Sequence, residues 1–301
     1  MKHWLQASLS VPRHLAGEAE VLMESQGALS VTLTDEGDDP VLEPGVGETP
    51  LWDSVRVTGM FPGDTPWEVL VSVLSLAPGV GSRENVGLAV VKDQAWERAW
   101  MTGFEPMRFG KDLWIVPTGH HPPVPEATIV KLDPGLAFGT GTHATTRLCL
   151  EWVDSQDFTN LTVIDFGCGS GVLGIAAALK GAGKVYCVDN DHQALSATDV
   201  NAARNGVRDE IEVVHSEEFA DHRADVVLAN ILAGTLISLA PRLCTMLGQG
   251  GKMALSGILP EQSGEVAGAY AARLGQMKST TLDGWVLLTG AFPGSAEKPD
   301  G

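Results

Sequence analysis

Between Val163 and Asp189 the chain reads VIDFGCGSGVLGIAAALKGAGKVYCVD, a string that few folds can accommodate. Leu161 to Phe166 is short, largely apolar and rich in β-branched residues, the pattern of a buried strand. Gly167, Gly169 and Gly171 follow at once, and Val172, Ile175, Ala176 and Leu179 then recur at helical spacing. Gly181 to Gly183 supply a helix stop, Val185 to Val188 a second apolar strand, and Asp189 stands at its carboxyl end. Strand, glycine turn, helix and strand make a βαβ unit of the nucleoside-binding kind. Glycines let the backbone approach a ligand closely, and an acidic side chain at the second strand tip can accept hydrogen bonds from both ribose hydroxyls. The expected fold class is therefore α/β, a Rossmann-like doubly wound sheet, with Asp189, Gly167 and Gly169 at its ligand site.

The chain of 301 residues, 44% of them hydrophobic, is long enough for one large domain and a smaller one. Lys and Arg number 20 against 38 Asp and Glu, and the resulting net charge of −18 repels a phosphate backbone. A basic partner is expected rather than a nucleic acid, the alternative being acidity that serves solubility or a salty habitat. Cys149, Cys168, Cys187 and Cys244 lack C-x-x-C spacing, the histidines form no H-E-x-x-H pattern, and the pair His120-His121 has no third ligand nearby, so no metal is expected. No apolar run approaches the ~18 residues of a membrane span, and MKHWLQASLS lacks the form of an export signal. The expectation is a cytoplasmic chain with reduced thiols, no membrane contact and no need of more than a monomer.

Ahead of the βαβ unit, residues 1–92 alternate as strand, helix, strand, strand, helix, strand, which is the ferredoxin-like order. Pro12 stands where the first helix could start. Residues 93–110, with Trp96 and Trp100, read as a linker helix followed by a turn, and 111–293 as the large domain, with 294–301 a disordered tail. LDPGLAFGTGTH, ending at His143, combines three glycines with no apolar periodicity just before a helix. Free N–H groups at such a helix start suit a carboxylate, and Thr146 lies in the first turn. Beyond Asp189, the strand that begins at Ala224 ends in Ala229-Asn230-Ile231-Leu232-Ala233-Gly234, so Asn230 stands at a strand tip beside the glycine loop. Alternating strands and helices through Phe292 complete the sheet.

Gly169-x-Gly171-x-x-Gly174 alone fits a dinucleotide-dependent oxidoreductase equally well. With Asp165 ahead of it, the D-x-G-x-G-x-G pattern resembles class I S-adenosylmethionine-dependent methyltransferases. LDPGLAFGTGTHATT, VIDFGCGSGVLGIAA, ANILAG and LSGIL together resemble the bacterial methyltransferase family that modifies protein eleven of the large ribosomal subunit. The likeness runs over nearly the whole chain, including WERAWMTGFEPMRFG.

That resemblance implies a ferredoxin-like substrate-recognition domain, a flexible linker and a methyltransferase domain that modifies lysine side chains and the N-terminal amine of its substrate. It implies S-adenosylmethionine contacts at Thr146, Gly167, Asp189 and Asn230, with Phe138, Gly139 and Gly141 lining the methionine end; Asp165 and Gly169 belong to the same motif. The sequence departs from the family pattern at Ala144 and Thr235, each of which usually is proline. Methyl transfer to an amine needs that amine neutral and held in line, and Asn230, with the carbonyl of Ile231 or Leu232, is the expected acceptor set. A nucleic-acid amino-group methyltransferase also carries Asn at this tip, but usually follows it with Pro-Pro and an aromatic, where this chain has Ile231 and Leu232.

Overall fold

A computed structural model describes residues 3–37, 52–92, 105–121, 124, 126–133, 139, 141–220 and 222–293. The chain divides into two compact units, Met1–Trp100 and Met101–Gly301. The expected linker helix, the C-terminal tail and Phe138 fall outside the described residues.

The first unit runs β1 (His3–Pro12), α1 (Ala16–Ser25), β2 (Ser30–Asp35), β3 (Ser54–Pro62), α2 (Trp67–Leu74) and β4 (Gly87–Lys92). Its sheet has the order β2-β3-β1-β4 with every pair antiparallel, which is the ferredoxin-like arrangement. Alternation decides which face is covered: Leu5, Ala7, Leu9 and Val11 of β1 and Val55, Val57 and Phe61 of β3 are buried against Ala19 and Met23 of α1 and Leu70 and Leu74 of α2. Pro12 closes β1 instead of opening the helix, and a single 3-10 turn, Arg13–Leu15, intervenes.

The second unit opens with a three-stranded sheet, β5 (Met107–Phe109), β6 (Leu113–Val116) and β7 (Thr128–Lys131). Met107–Phe109, expected as the end of the linker turn, is instead a strand, because Phe109 packs with Leu113 and Ile115 in the core. There follow α3 (Ala144–Ser155), β8 (Thr162–Phe166), α4 (Val172–Leu179), β9 (Lys184–Asp189), α5 (His192–Arg204), β10 (Ile211–His215) and β11 (Ala224–Asn230). The chain ends in α6 (Ala233–Met246), β12 (Leu247–Ile258), α7 (Ser263–Leu274), β13 (Lys278–Leu282) and β14 (Trp285–Ala291).

The seven-stranded sheet has the order β10-β9-β8-β11-β12-β14-β13. Pairs from β10 to β12 are parallel, whereas β14 runs antiparallel to both its neighbours. The alternation of strand and helix thus ends at β13, and β14 returns through a two-residue turn in which Asp283 (φ 47°) and Gly284 (φ 76°) both take the left-handed conformation. Asp-Gly is the pair such a tight hairpin favours.

Successive residues of β8 serve opposite layers. Val163 packs with α3 and α4, Ile164 and Phe166 with α6 and α7, and the sheet is buried on both faces.

Ala144 is the first residue of α3, behind the N-cap His143, whose backbone is extended at φ −75° and ψ 141°. Both positions suit a proline at 144, since the first N–H of a helix has no intrahelical partner and the residue before proline prefers extended backbone. Ala144→Pro is expected to raise stability by about 0.4–1 kcal/mol by restricting the unfolded chain, read as a higher melting temperature. An unchanged or lower value would show that this start of α3 does not tolerate the ring.

Candidate functional site

The tips of β8, β9 and β11 surround a cleft of about 210 Å³. It lies where the strand order reverses, between β8, whose other neighbour is β9, and β11, so the loops on either side diverge and leave a crevice.

The floor of this cleft is the glycine loop. Gly167 (φ 77°), Gly169 (φ 56°) and Gly171 (φ 77°) all lie in the left-handed region. At Gly167 space matters as much as torsion, because an added Cβ would overlap Cγ2 of Ile231. Gly174 serves packing instead, since a Cβ there would stand 2.6 Å from Cys187 Sγ and its absence lets α4 settle onto β9. The loop is anchored by Gly167 N and Cys168 N, which donate to the Val188 carbonyl at 2.8 and 3.1 Å.

Asp189 lines the cleft from the tip of β9. Its Oδ2 accepts from Gly169 N at 2.9 Å and its Oδ1 from Asp191 N at 3.0 Å. Two backbone N–H groups therefore fix the carboxylate, and each oxygen keeps a lone pair for a hydroxyl. Across the crevice, Asn230 Nδ2 donates to Thr146 Oγ1 at 3.3 Å, and both residues line the cleft. Thr146 is wholly buried, so this contact fixes the amide from behind. Gly139 (φ 101°) also lines the cleft, its carbonyl accepting from Ser170 Oγ at 2.8 Å.

Two expected site residues stand apart from this group. Gly141 (φ 89°) packs against Ile115, Phe109 and Met107, away from the cleft lining. Asp165 is buried behind the glycine loop and does not line the cleft. Its Oδ2 accepts from Gly174 N at 2.9 Å, while Oδ1 has no hydrogen-bond partner among the described residues. Burial pushes this carboxyl up to about 7; the Gly174 bond opposes the rise and the charge of Asp189 adds to it. Of the carbonyls beside Asn230, that of Leu232 accepts from Leu236 N at 2.9 Å, and that of Ile231 lies against Gly257.

Sequence reasoning passed over α5, which holds the loop from the side. Thr198 Oγ1 donates to the Gly169 carbonyl at 3.0 Å, Asn201 Nδ2 to the Ser170 carbonyl at 2.9 Å, and Asn205 Nδ2 to the Lys131 carbonyl at 2.9 Å. Thr198 and Asn201 thereby satisfy loop carbonyls that face away from solvent. The signal was present: positions 198, 201 and 205 form one helical stripe, and a polar stripe on a core-facing helix needs polar partners.

The family model for "Ribosomal protein L11 methyltransferase (PrmA)" matches residues 3–292. The chain belongs to that family. A relative named ribosomal protein L11 methyltransferase from Pseudomonas fluorescens is 48% identical over 288 residues, covering 95% of this chain and 98% of the relative. One of the same name from Azotobacter vinelandii is 47% identical over the same shares of both chains. Among solved structures, the ribosomal protein L11 methylase from Lactobacillus delbrueckii subsp. bulgaricus is 31% identical, with a TM-score of 0.57 over 63% of this chain and 100% of that one. The residues matched to the L11 methyltransferase family take in both the four-stranded antiparallel sheet and the seven-stranded sheet.

Proposed function

We infer that this protein is an S-adenosylmethionine-dependent methyltransferase that transfers methyl groups to lysine side-chain and N-terminal amines of ribosomal protein L11. The carrying observation is the convergence of Asp189, the glycine loop and Asn230 on one cleft, in a chain matched to the family over residues 3–292. The net charge of −18 supports a basic protein as the acceptor and weighs against direct nucleic-acid binding. Four free thiols suit the cytoplasm.

The residues fit this donor. Asp189 offers acceptors for both ribose hydroxyls, Gly167 and Gly169 leave room where a side chain would project, and Thr146 and Gly139 lie at the end assigned to the methionine moiety. Gly141 and Asp165 act from behind, through loop shape. When bound, the donor supplies a methyl group made electrophilic by its sulfonium.

What the protein itself must do is present a neutral amine in line with that methyl. A lysine amine has a pKa of about 10.4 in water, and desolvation in the cleft favours its uncharged form. With Nδ2 engaged by Thr146, the side-chain oxygen of Asn230 remains to accept from the amine and aim its lone pair at the methyl. The Leu232 and Ile231 carbonyls, one committed to α6 and the other lying against Gly257, are secondary acceptors. No side chain is required as base, since the proton can leave to water.

Incubating the purified protein with S-adenosylmethionine and unmodified L11, then weighing intact L11, should show mass gains in multiples of one methyl group. Absence of any gain with cofactor still bound would remove L11 as the acceptor; absence of cofactor binding would remove the methyltransferase reading. Asp189→Ala is expected to weaken cofactor affinity roughly tenfold to a hundredfold, the value of hydrogen bonds to a charged acceptor. Calorimetric titration checks this, and an unchanged constant would mean that the ribose is held elsewhere.

A further inference from the structure

The active-site rim continues beyond Asn230 to an aromatic pair that cofactor binding and amine presentation leave unused. Asn230 sits beside Ser256 in the parallel register of β11 and β12, and Ser256 Oγ donates to the Val286 carbonyl at 2.9 Å. Trp285, the residue before, therefore lies on the same rim two strands over, roughly 10 Å from Asn230 at ordinary strand spacing. The β12–β14 register shifts between Leu255 and Ile258, and Gly257 (φ 86°) within that irregularity lets the Ile231 backbone press close. Such bulges re-aim the neighbouring chain.

A second path joins the same residues through α3. Thr146 contacts Asn230, and one turn earlier the His143 ring meets the Trp285 indole edge-on, centroids 4.9 Å apart at 66°. His143 is itself fixed by the 2.7 Å contact of its Nδ1 with Thr145 Oγ1. The indole is thus pinned from below by His143 and along the chain by the tight Asp283-Gly284 turn, in which Leu282 pairs with Trp285. It packs against the core on the α3 side yet stays only partly buried, while Val286 and Leu287 after it are buried. A rigid, part-exposed indole at the rim of a site that takes cationic amines, with the Asp283 carboxylate two residues away, has the chemistry to bind ammonium groups.

We propose that Trp285, braced by His143, is the aromatic wall of the acceptor side, binding the substrate's ammonium on entry and its methylated forms between turnovers. This rests on the amine-methyltransferase reading and deepens it. Methylation beyond the first step leaves a cation that can no longer be held by several N–H donors, whereas an aromatic face attracts it however many methyl groups it carries.

The test uses the full chain with Trp285→Ala and Trp285→Phe, measuring cofactor affinity, KM and kcat for L11, and affinity for fully methylated L11. A cation–π contact of about 0.5–2 kcal/mol corresponds to roughly a 2- to 30-fold effect. Trp285→Ala should raise KM and weaken methylated-L11 binding within that range with cofactor affinity unchanged, and partly methylated L11 should accumulate; Trp285→Phe should recover most of the loss. Unchanged L11 constants in the alanine variant would overturn the proposal, as would loss of cofactor affinity in parallel with L11 affinity, which marks a structural role. If the unsubstituted protein fails to methylate L11 at all, it is the underlying function that falls.

Discussion

Asn230→Ala should lower turnover on L11 by about two to three orders of magnitude while changing affinity for S-adenosylmethionine only a few-fold. Removing a preorganised hydrogen-bonding group aimed at the reacting atoms costs about that much, and a comparable loss follows from misplacing the nucleophile by ~1 Å. The amide is held from behind by Thr146 Oγ1 at 3.3 Å, so its oxygen is preorganised before the amine arrives. Thr146→Val should therefore reproduce part of the loss, because it frees the amide without removing it. Asn230→Asp adds a discriminating result: a carboxylate favours the protonated amine, so residual activity should need a higher pH than in the unsubstituted protein. Rapid-mixing measurement of the methyl-transfer step, paired with calorimetry, decides the matter. Near-normal turnover in Asn230→Ala would leave Asn230 without a role in presenting the amine.

The outline of this site was open to sequence reasoning because its chemistry is local. Gly167, Gly169 and Gly171 stand within five residues, and Asp189 follows one helix later, so spacing alone brings them to adjacent strand tips. Asn230 needed a further step, since its place depends on β11 pairing with β8 rather than with β10; the periodicity marked the strand, and the reversal of strand order supplied the neighbour. Long-range support was harder to read. Thr198 and Asn201 reach the loop from 29 and 31 residues away, and polar residues within a helix ordinarily mark its solvent face. Thr128–Lys131 was invisible as a strand because four residues beside a proline-rich loop are too short for a periodicity to establish itself. Asp165 shows a limit of another kind. It belongs to the motif, yet strand alternation turns its side chain under the loop into the layer packed by α3 and α4, so motif membership and ligand contact part company.

Asp165 also carries the second large effect, on stability rather than turnover. Its carboxyl is fully buried, bonded once to Gly174 N and otherwise unpartnered among the described residues, with its pKa lifted to about 7, chiefly by burial. An unfolded aspartate titrates near the usual value of about 3.9. Between about pH 4 and 7 the native state therefore keeps a proton that the unfolded chain releases, and stability falls as pH rises through this window. The contribution is fully present below the unfolded pKa and is lost as pH passes the folded one, at roughly 1.4 kcal/mol for each unit between them. The nearby buried thiols do not blur the slope: Cys149 is held protonated mainly by burial, and Cys187 by its hydrogen bond with Cys168 and by burial. Asp165→Asn keeps an acceptor for Gly174 N and removes the titration. Its new amide N–H groups add a penalty of their own, but one that does not vary with pH. Denaturant unfolding of both proteins at pH 5, 6 and 7 should show the stability difference moving steadily in favour of the asparagine variant as pH rises. A difference that stays constant across the window would mean that Asp165 is ionised throughout, and that its unpartnered oxygen is compensated by a group on the other side of the loop.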